Sequence, residues 1–231
     1  MTGKRLAIIG DGKMGRAVRD LALDTGWEVC AFLGERDSAG GRGVTAQSLG
    51  NADVAVEFTE PAAAVANVSA CLRAGVPIVV GTTGWYDALP EVRRLAEESG
   101  GAVLWAANFS IGVNVMLQVA ARSGELMRGL HEFDAHIVET HHSKKKDAPS
   151  GTAAALAKAA SETLGREIPI TSVRTGSVPG THELIFDGGF EQLTLTHVAR
   201  DRRVFAEGAL RAAAWLIGRK GIFTMRDVLE R

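Results

Sequence analysis

Near its N-terminus the chain reads Leu6-Ala7-Ile8-Ile9-Gly10-Asp11-Gly12-Lys13-Met14-Gly15-Arg16. The stretch starts as an apolar run typical of a buried strand, continues as a glycine-rich turn and ends in residues that favour a helix. In this G-x-G-x-x-G spacing, Gly10 permits the tight turn, Gly12 lets the backbone approach a pyrophosphate, and Gly15 lets helix and strand pack closely. Because strand, turn and helix follow in this order, the pattern predicts a dinucleotide-binding βαβ unit rather than a turn that merely needs glycine.

The first hundred residues repeat this alternation of short apolar runs and longer alanine-rich stretches. The predicted strands are residues 6–9, 28–33, 54–58, 78–80 and 103–105, and the predicted helices are residues 14–25, 62–74 and 88–99. Glycines just beyond the helices, Gly26, Gly75 and Gly100, are typical helix stops. The alternation predicts a parallel sheet covered by helices on both faces, the doubly wound Rossmann plan.

The pattern changes after about residue 108. Long helices are predicted at 113–127 and 150–164, a strand at 135–140, and further strands at 170–175, 182–186 and 192–198. The polar–apolar alternation of the last strands favours a mixed or antiparallel sheet with one exposed face. We therefore predict an α/β protein with a Rossmann domain over residues 1–108. Residues from about 204 to 231 complete that domain, and an α+β domain for substrate binding and oligomerisation spans residues 109–203.

Composition excludes several classes of function. The net charge of −1 gives no overall attraction to nucleic acid or to a membrane surface, so any anion site must be local. No apolar run approaches the ~18 residues of a membrane span, and no signal peptide is expected before the first strand. Cys30 and Cys71 form no C-x-x-C motif and are expected to be reduced. The expected location is the cytoplasm.

The second strand ends near two charged residues that bear on the choice of cofactor. Glu35 lies 20 residues after Gly15, the spacing at which an acidic residue binds the ribose hydroxyls of NAD. Its neighbour Arg36 is suited to the 2′-phosphate of NADP. Both residues are equally compatible with solvated loop charges, so the sequence leaves NADH and NADPH open as cofactors.

Two further segments follow predicted strands at the edge of the sheet where ligands of open α/β folds bind. They are Gly81-Thr82-Thr83-Gly84-Trp85, after the fourth strand, and Ala107-Asn108-Phe109-Ser110, after the fifth. A plain turn explains either segment alone, but less readily both at one edge. The predicted cofactor-binding residues are Gly10, Gly12, Lys13, Met14, Gly15, Glu35, Arg36, Gly81, Thr82, Thr83, Ala107, Asn108 and Phe109.

A basic cluster stands out in this nearly neutral chain. Residues 139–152 read ETHHSKKKDAPSGT, with two histidines and three lysines within six positions. Ser150 is a good helix N-cap, so the backbone after it would present N–H groups to an anion such as a carboxylate. A basic surface loop before a capped helix is the simpler interpretation, but the paired histidines favour a site for a small anionic substrate.

With these motifs the chain resembles the 4-hydroxy-tetrahydrodipicolinate (dihydrodipicolinate) reductases of lysine and diaminopimelate synthesis. The likeness covers essentially the whole chain and is most specific in the H-H-x-x-K-x-D-A-P-S-G-T pattern from His141 to Thr152. It implies an NADH- or NADPH-dependent reduction of a cyclic dicarboxylate in a homotetramer, without a metal. It also implies that His141 is the general acid and that Lys145 assists proton donation and substrate binding. The implied substrate-binding residues are His142, Ser150, Gly151, Thr152 and Arg202.

One position departs from this resemblance. Relatives usually carry an acidic residue at the end of the second strand, where this chain has Gly34, with Glu35 one place later. Two rival functions remain: a sugar or amino-acid dehydrogenase of the same plan, and a non-catalytic nucleotide sensor. The sugar enzymes usually carry a Glu-Lys-Pro motif, where this chain has Gly81-Thr82-Thr83-Gly84. A sensor would need no histidine–lysine cluster.

Overall fold

The apolar runs of the N-terminal half form one parallel sheet in a computed structural model, which describes residues 3–38 and 40–230. The first five strands are β1 (Arg5–Ile9), β2 (Glu28–Leu33), β3 (Val54–Glu57), β4 (Ile78–Val80) and β5 (Ala102–Trp105). All neighbouring pairs among them are parallel, with β1 between β2 and β3. Strands β3 and β4 are buried along their whole length, as expected of strands that helices cover on both faces.

Helices connect these strands, and the short helix between β2 and β3 is followed by a loop that leads into β3. The helices are α1 (Lys13–Asp24), α2 (Glu35–Ser38), α3 (Pro61–Arg73) and α4 (Leu89–Ser99). Gly26, Gly75 and Gly100 follow α1, α3 and α4 with positive φ angles, as predicted for helix stops. The short helix α2 was not predicted. It corrects the expectation that Glu35 and Arg36 lie on a loop at the strand end.

A second sheet follows, of mixed direction. Helices α5 (Ile111–Met127) and α6 (Gly151–Leu164) accompany strands β6 (Asp134–His141), β7 (Ile170–Arg174), β8 (Thr181–Asp187) and β9 (Gln192–Val198). The strand order is β7-β6-β8-β9, with β6 and β7 parallel and the other pairs antiparallel. The two helices approach closely at Gly124, where a Cβ would lie 2.5 Å from the carbonyl oxygen of Ala160. Their apolar sides pack on the sheet around Ile137, Leu184 and Phe186.

The C-terminal segment returns to the first sheet. It contains α7 (Arg203–Leu216), β10 (Gly221–Phe223) and α8 (Met225–Leu229). Strand β10 pairs in parallel with β5, which extends the first sheet to the order β10-β5-β4-β3-β1-β2. The predicted α/β fold with a second, mixed sheet is therefore confirmed. The sixth strand was missed, because a three-residue run after Gly221 shows no periodicity of its own.

The chain divides into two compact units. The first comprises the residues up to Phe109 and those from Phe205 onward, and the second comprises Ser110–Val204. Each has its own apolar core, one formed around Ile9, Val68 and Val80 and the other around Leu156 and Leu184. No helix within residues 3–38 and 40–230 is long and apolar enough to cross a membrane.

Candidate functional site

The glycine turn of the first unit has the geometry that its spacing predicts. Gly10 has φ +108° and donates its N–H to the carbonyl of Leu33 at 2.8 Å. A Cβ on Gly10 would lie 2.1 Å from the Phe58 carbonyl oxygen, and one on Gly15 would lie 1.8 Å from the Gly10 carbonyl oxygen. At Gly12, which caps α1, a Cβ would meet none of the described atoms within 4 Å. Gly10 and Gly15 are therefore required by packing, whereas Gly12 faces open space at a helix N-terminus.

That open space belongs to a cavity of about 440 Å³ at the carboxyl ends of the strands. Two of the predicted cofactor-binding segments, Gly12–Met14 and Gly81–Thr83, lie on its walls. The complete lining is Gly12, Lys13, Met14, Phe58, Thr59, Pro61, Gly81, Thr82 and Thr83. Phe58, Thr59 and Pro61 were not predicted, although they directly follow β3 at the same edge of the sheet, which is the signal that identifies them.

A buried carboxyl group holds two walls of this cavity together. Glu57, at the end of β3, is fully buried and accepts hydrogen bonds from the backbone N–H of Thr59 at 3.0 Å and from its hydroxyl. The same N–H lies 2.8 Å from the Thr82 hydroxyl oxygen. Burial raises the pKa of Glu57, against the hydrogen bonds from Thr59 and Thr82, which lower it. Glu57 thereby ties the segment after β3 to the one after β4.

The other predicted cofactor residues lie outside the cavity lining. Ala107 is exposed and Asn108 is half-buried. Phe109 is 2% exposed, and its ring packs edge-on against Phe58 with 6.0 Å between centroids. A Cβ on Gly208 of α7 would lie 1.7 Å from the Phe109 carbonyl oxygen, so α7 lies directly against this segment. Phe109 thus supports a wall of the cavity from behind.

The end of β2 presents three acidic groups and one basic group around Gly34. Glu35, Arg36 and Asp37 begin α2 and are exposed, and Asp37 accepts the Gly34 N–H at 2.9 Å. Asp11 of the glycine turn also lies here, because a Cβ on Gly34 would be 3.0 Å from its Oδ2. The carboxylate of Asp11, a residue that the motifs did not indicate, therefore lies directly beside position 34.

In the second unit, strand register places polar residues in one row across all four strands. Glu139 is paired with Ser172 on one side and His182 on the other, and His182 is paired with His197. The adjacent row on the same face is apolar: it consists of Ile170, Ile137, Leu184 and Leu195. Because side chains two residues apart share a face, His141 follows Glu139 on this face. The polar row marks the end of the unit's apolar core.

The two long helices of this unit start at that polar row. Their N-cap serines, Ser150 of α6 and Ser110 of α5, accept the backbone N–H of the residue three places on, each at 3.2 Å. The Ser150 hydroxyl lies 3.2 Å from His182 Nε2, and the Ser110 hydroxyl lies 3.3 Å from His197 Nε2. Burial, followed by the neighbouring histidines, lowers the pKa of His182 to about 4, so His182 is neutral at neutral pH.

His141 lies within this cluster, 8% exposed, with its ring centroid 5.1 Å from that of His182. Its Nδ1 is hydrogen-bonded to Glu139 Oε2, and since a carboxylate only accepts, Nδ1 carries the proton. Burial lowers the pKa of His141, Glu139 opposes this, and Lys145 and Arg174 add to the lowering. Burial also raises the pKa of Glu139, but hydrogen bonds from Arg174, Ser172 and His141 outweigh it and bring the value to about 2.

The remaining predicted substrate residues, apart from Arg202, lie on the loop after β6 and on α6. Lys145 pairs with Asp147 at 2.8 Å, and the backbone N–H of His142 donates to the Val178 carbonyl at 2.8 Å. The side chain of His142 is half-buried, as is Thr152, and Gly151 is exposed. Arg202 lies exposed in the turn between β9 and α7. The structure thus connects His141, Ser150 and Lys145 through Glu139, Arg174 and Asp147.

Glu139, His141 and His182 have ligand-type atoms within 4.8 Å of one another, which raises the question of a metal site. The guanidinium of Arg174 lies 2.6 Å from Glu139 Oε1, and His141 occupies Oε2. A cation would have to displace Arg174, whose positive charge opposes it at close range. This donor set therefore fits a hydrogen-bonded ion pair and does not fit a resident metal ion.

Comparisons with known proteins agree across the whole chain. A family model described as dihydrodipicolinate reductase, N-terminus, matches residues 4–109, and its C-terminal counterpart matches residues 112–229. The 4-hydroxy-tetrahydrodipicolinate reductase of Thiobacillus denitrificans is 38% identical over 264 residues, covering 97% of this chain and 98% of that one. A protein of the same name from Christiangramia forsetii is 34% identical over 239 residues, with 97% of each chain covered.

Solved structures with similar folds include a dihydrodipicolinate reductase. The dipicolinate-bound dihydrodipicolinate reductase of Paenisporosarcina sp. TG-14 has a TM-score of 0.80 and 25% identity, covering 96% of this chain and 97% of that one. Aspartate dehydrogenase from Thermotoga maritima, with a TM-score of 0.52 and 13% identity, covers 95% of this chain and 98% of that one and shares the fold alone.

Proposed function

The chain belongs to the dihydrodipicolinate reductase family, and from this we infer that it reduces 4-hydroxy-tetrahydrodipicolinate to tetrahydrodipicolinate with a nicotinamide cofactor. This is a reductive step of lysine and diaminopimelate biosynthesis. The observation that carries the inference to the site is the buried cluster around His141, Glu139 and Ser150 beside the basic loop. A cationic pocket with N–H donors is what a substrate with two carboxylates requires.

The residues of each unit have separate tasks in this proposal. In the first unit, the N-terminus of α1 at Gly12 binds the pyrophosphate, and the segment Gly81–Thr83 contacts the nicotinamide half. The bound nicotinamide would supply a hydride to a ring carbon of the substrate, and the 4-hydroxyl group of the substrate is lost as water. In the second unit, His141 gives a proton as negative charge develops on the conjugated ring, and Lys145 stabilises that charge. Substrate carboxylates near His141 favour its protonated form and so counteract the lowering of its pKa by burial.

A coupled assay tests the activity directly. The condensation product of pyruvate and aspartate semialdehyde is supplied to the purified protein, and oxidation of NADH and of NADPH is followed separately. We expect oxidation that depends on the condensation product. If neither NADH nor NADPH is oxidised, the proposal is contradicted. If the cofactor is oxidised at the same rate without the condensation product, that product is not the substrate.

The N-terminus of α6 is the proposed binding site for a substrate carboxylate. A Cβ on Gly151 would meet none of the described atoms within 4 Å, so an anion can approach the backbone there. Pyridine-2,6-dicarboxylate, the ligand of the solved relative, is expected to compete with the substrate. Gly151→Val is expected to raise its inhibition constant at least about tenfold by placing a side chain at the anion's position.

Gly129→Val is the matched control, because Gly129 is also exposed and open in the same unit. Its inhibition constant is expected to equal that of the wild type. If Gly151→Val keeps its circular dichroism spectrum and is inhibited like the control, the carboxylate binds elsewhere.

We propose that the enzyme uses both NADH and NADPH, with a preference below about 30-fold, or about 2 kcal/mol. Glu35 accepts hydrogen bonds from ribose hydroxyls and repels a 2′-phosphate, whereas Arg36 attracts that phosphate. Glu35→Ala is therefore expected to move the ratio of kcat/KM values toward NADPH, and Arg36→Ala to move it toward NADH. The measurement is kcat/KM for each cofactor in each variant.

The position of Asp11 provides a third arm of this experiment. Its carboxylate lies beside Gly34, which occupies the end of the second strand, where an acidic residue typically binds the ribose. If neither Glu35→Ala nor Arg36→Ala shifts the ratio by more than about threefold, those residues are not the selectivity elements. Asp11→Asn is then expected to shift it toward NADPH.

We propose that four copies assemble through the second sheet. The face of this sheet opposite α5 and α6 carries threonines and aliphatic residues, among them Val173 and Val198, which are 38% and 58% exposed. Exposed aliphatic side chains on such a face suit packing against another sheet. Light scattering is expected to give four times the chain mass of 24.4 kDa. We also propose a cytoplasmic location, since the chain is similar to a biosynthetic enzyme.

A further inference from the structure

Glu139 is a charged group in a place that strand alternation normally gives to an apolar side chain. It follows Ile137 on the inner face of β6 and is 0% exposed. Both carboxylate oxygens are engaged: Oε1 accepts from Arg174 at 2.6 Å and from the backbone N–H of Ser150 at 3.3 Å, and Oε2 accepts from His141. A buried ion pair is weak evidence for stability, since a well-packed apolar pair often replaces it without loss. The contacts of Glu139 therefore indicate a role other than stabilising the fold.

The partners of Glu139 belong to three separate parts of the unit. His141 lies at the end of β6, Ser150 caps α6, and Arg174 ends β7. The same Nη2 atom of Arg174 also donates to the carbonyl of Asp147 at 2.8 Å, and the carboxylate of Asp147 pairs with Lys145 at 2.8 Å. One carboxylate therefore contacts His141 directly and is connected to Lys145 through Arg174 and Asp147.

The Nε2 side of the His141 ring lies against a glycine. Gly180, with φ +157°, lies opposite Nε2, and a Cβ there would be 3.0 Å from that atom. Any larger residue would crowd Nε2. The ring is thus held by Nδ1 and has Nε2 directed toward a position without a side chain.

We propose that Glu139 is the positioning residue of this active site: Oε2 fixes the His141 tautomer and aims Nε2 at the substrate, while Oε1, through Arg174 and Asp147, holds the loop that carries Lys145. This rests on the proposed reductase function and adds to it a residue outside the predicted substrate set. Carboxylates that orient a catalytic histidine and stabilise its charged form have this role in other enzymes.

The charges around His141 define what the carboxylate must counteract. Lys145 and Arg174 disfavour the imidazolium, His182 contacts the ring from β8, and Glu139 alone among these groups favours the charged form. With its own pKa at about 2, Glu139 stays ionised and leaves the transferable proton on His141. Its loss is expected to shift the fall of kcat/KM with rising pH to lower pH, since His141 then loses its proton more readily.

Glu139→Gln is the main test, because it keeps the size of the side chain and removes the charge. We expect kcat to fall about 10- to 100-fold, the range for groups that orient a reactive histidine. The KM for the cofactor is expected to stay unchanged. The fall of kcat/KM is expected at lower pH, and ¹⁵N NMR of the imidazole is expected to show loss of the pure Nδ1–H tautomer. Glu132→Gln, an exposed carboxylate in the same unit, is the matched control and is expected to behave like the wild type.

Two more variants separate the two oxygens and protect the test against misfolding. Glu139→Asp retains the charge at a greater distance and is expected to recover part of the pH profile and of the tautomer signal. Arg174→Lys keeps a cation but replaces the Nη2 group, which donates to both Glu139 and Asp147, with a flexible ammonium. It is expected to raise KM for the substrate while leaving the ¹⁵N signature of His141 in place.

Wild-type kcat, pH profile and tautomer in Glu139→Gln would overturn the proposal. So would a fall in activity with an unchanged pH profile and unchanged ¹⁵N signals, because that result marks a purely structural role. The NMR measurement needs no substrate. A wild-type protein inactive in the coupled assay but with the Nδ1–H tautomer dependent on Glu139 would therefore separate failure of the proposed reaction from failure of the positioning role.

Discussion

His141→Gln is expected to lower kcat by about 10²-fold or more, the usual loss when a general acid is removed. Glutamine can still donate a hydrogen bond, but it cannot release a proton to the reduced ring. Cofactor affinity is expected to be kept, because His141 lies in the second unit and the glycine turn in the first. Stopped-flow and steady-state rates with NADH and NADPH measure the change. His131→Gln, an exposed histidine of the same unit, is the matched control.

The pH dependence gives a second test of the same residue. Burial lowers the pKa of His141 in the free enzyme, so its protonated fraction declines from a pH below the ordinary histidine value of about 6.5. We therefore expect kcat/KM to fall as pH rises through that region. Two bound carboxylates favour the imidazolium, so the corresponding fall of kcat is expected at higher pH. Wild-type kcat in His141→Gln, or identical profiles for kcat and kcat/KM, would remove His141 from the proposed role.

Lys145→Ala is expected to lower kcat by a similar factor and also to raise the KM for substrate. The ammonium group lies on the loop that Asp147 and Arg174 hold, and in the proposed reaction it supplies positive charge to a dianionic substrate. Lys144→Ala removes an equally charged, exposed neighbour and is expected to have little effect. Equal rates in the two variants would show that only the overall charge of the loop matters.

Gly15→Ala and Gly12→Ala are expected to damage the protein in different ways. In Gly15→Ala the added Cβ would lie 1.8 Å from the Gly10 carbonyl oxygen, a backbone atom that cannot turn aside. We expect a loss of about 2 kcal/mol or more in the free energy of unfolding, since helix α1 must move off the strand. Urea unfolding without cofactor measures it. Gly12 has φ −69° and open surroundings, so Gly12→Ala is expected to cost less than about 1 kcal/mol.

Cofactor affinity is expected to respond mainly to the Gly12 substitution, whereas stability responds mainly to the Gly15 substitution. In Gly12→Ala the added methyl group occupies the approach of the pyrophosphate, and we expect the dissociation constants for NADH and NADPH to rise at least about tenfold in a folded protein. Fluorescence titration measures both constants. A Gly12→Ala protein that binds like the wild type would place the pyrophosphate elsewhere. A Gly15→Ala protein of wild-type stability would show that the turn relaxes freely.

Much of the architecture was predictable because its signals are local. The strand Glu28–Leu33 is bounded as predicted, the helix stops at Gly26, Gly75 and Gly100 have the positive φ expected of them, and the glycine fingerprint lies between β1 and α1. Each of these features depends on the conformational preferences of a few consecutive residues. The family was likewise predictable from the motif around His141 to Thr152, which is contiguous in sequence.

What only the tertiary structure decided depends on contacts between distant segments. The pairing of β10 with β5 joins residues more than a hundred positions apart, and a three-residue strand has no pattern of its own. The row of Glu139, His182 and His197 exists only once β6, β8 and β9 are in register, since a shift by one residue would turn every side chain to the other face. The sequence by itself determined the two sheets, the glycine turn and the reactive histidine–lysine loop. Only tertiary structure decided that a buried carboxylate orients His141, because that contact depends on strand register, burial and an arginine from a neighbouring strand.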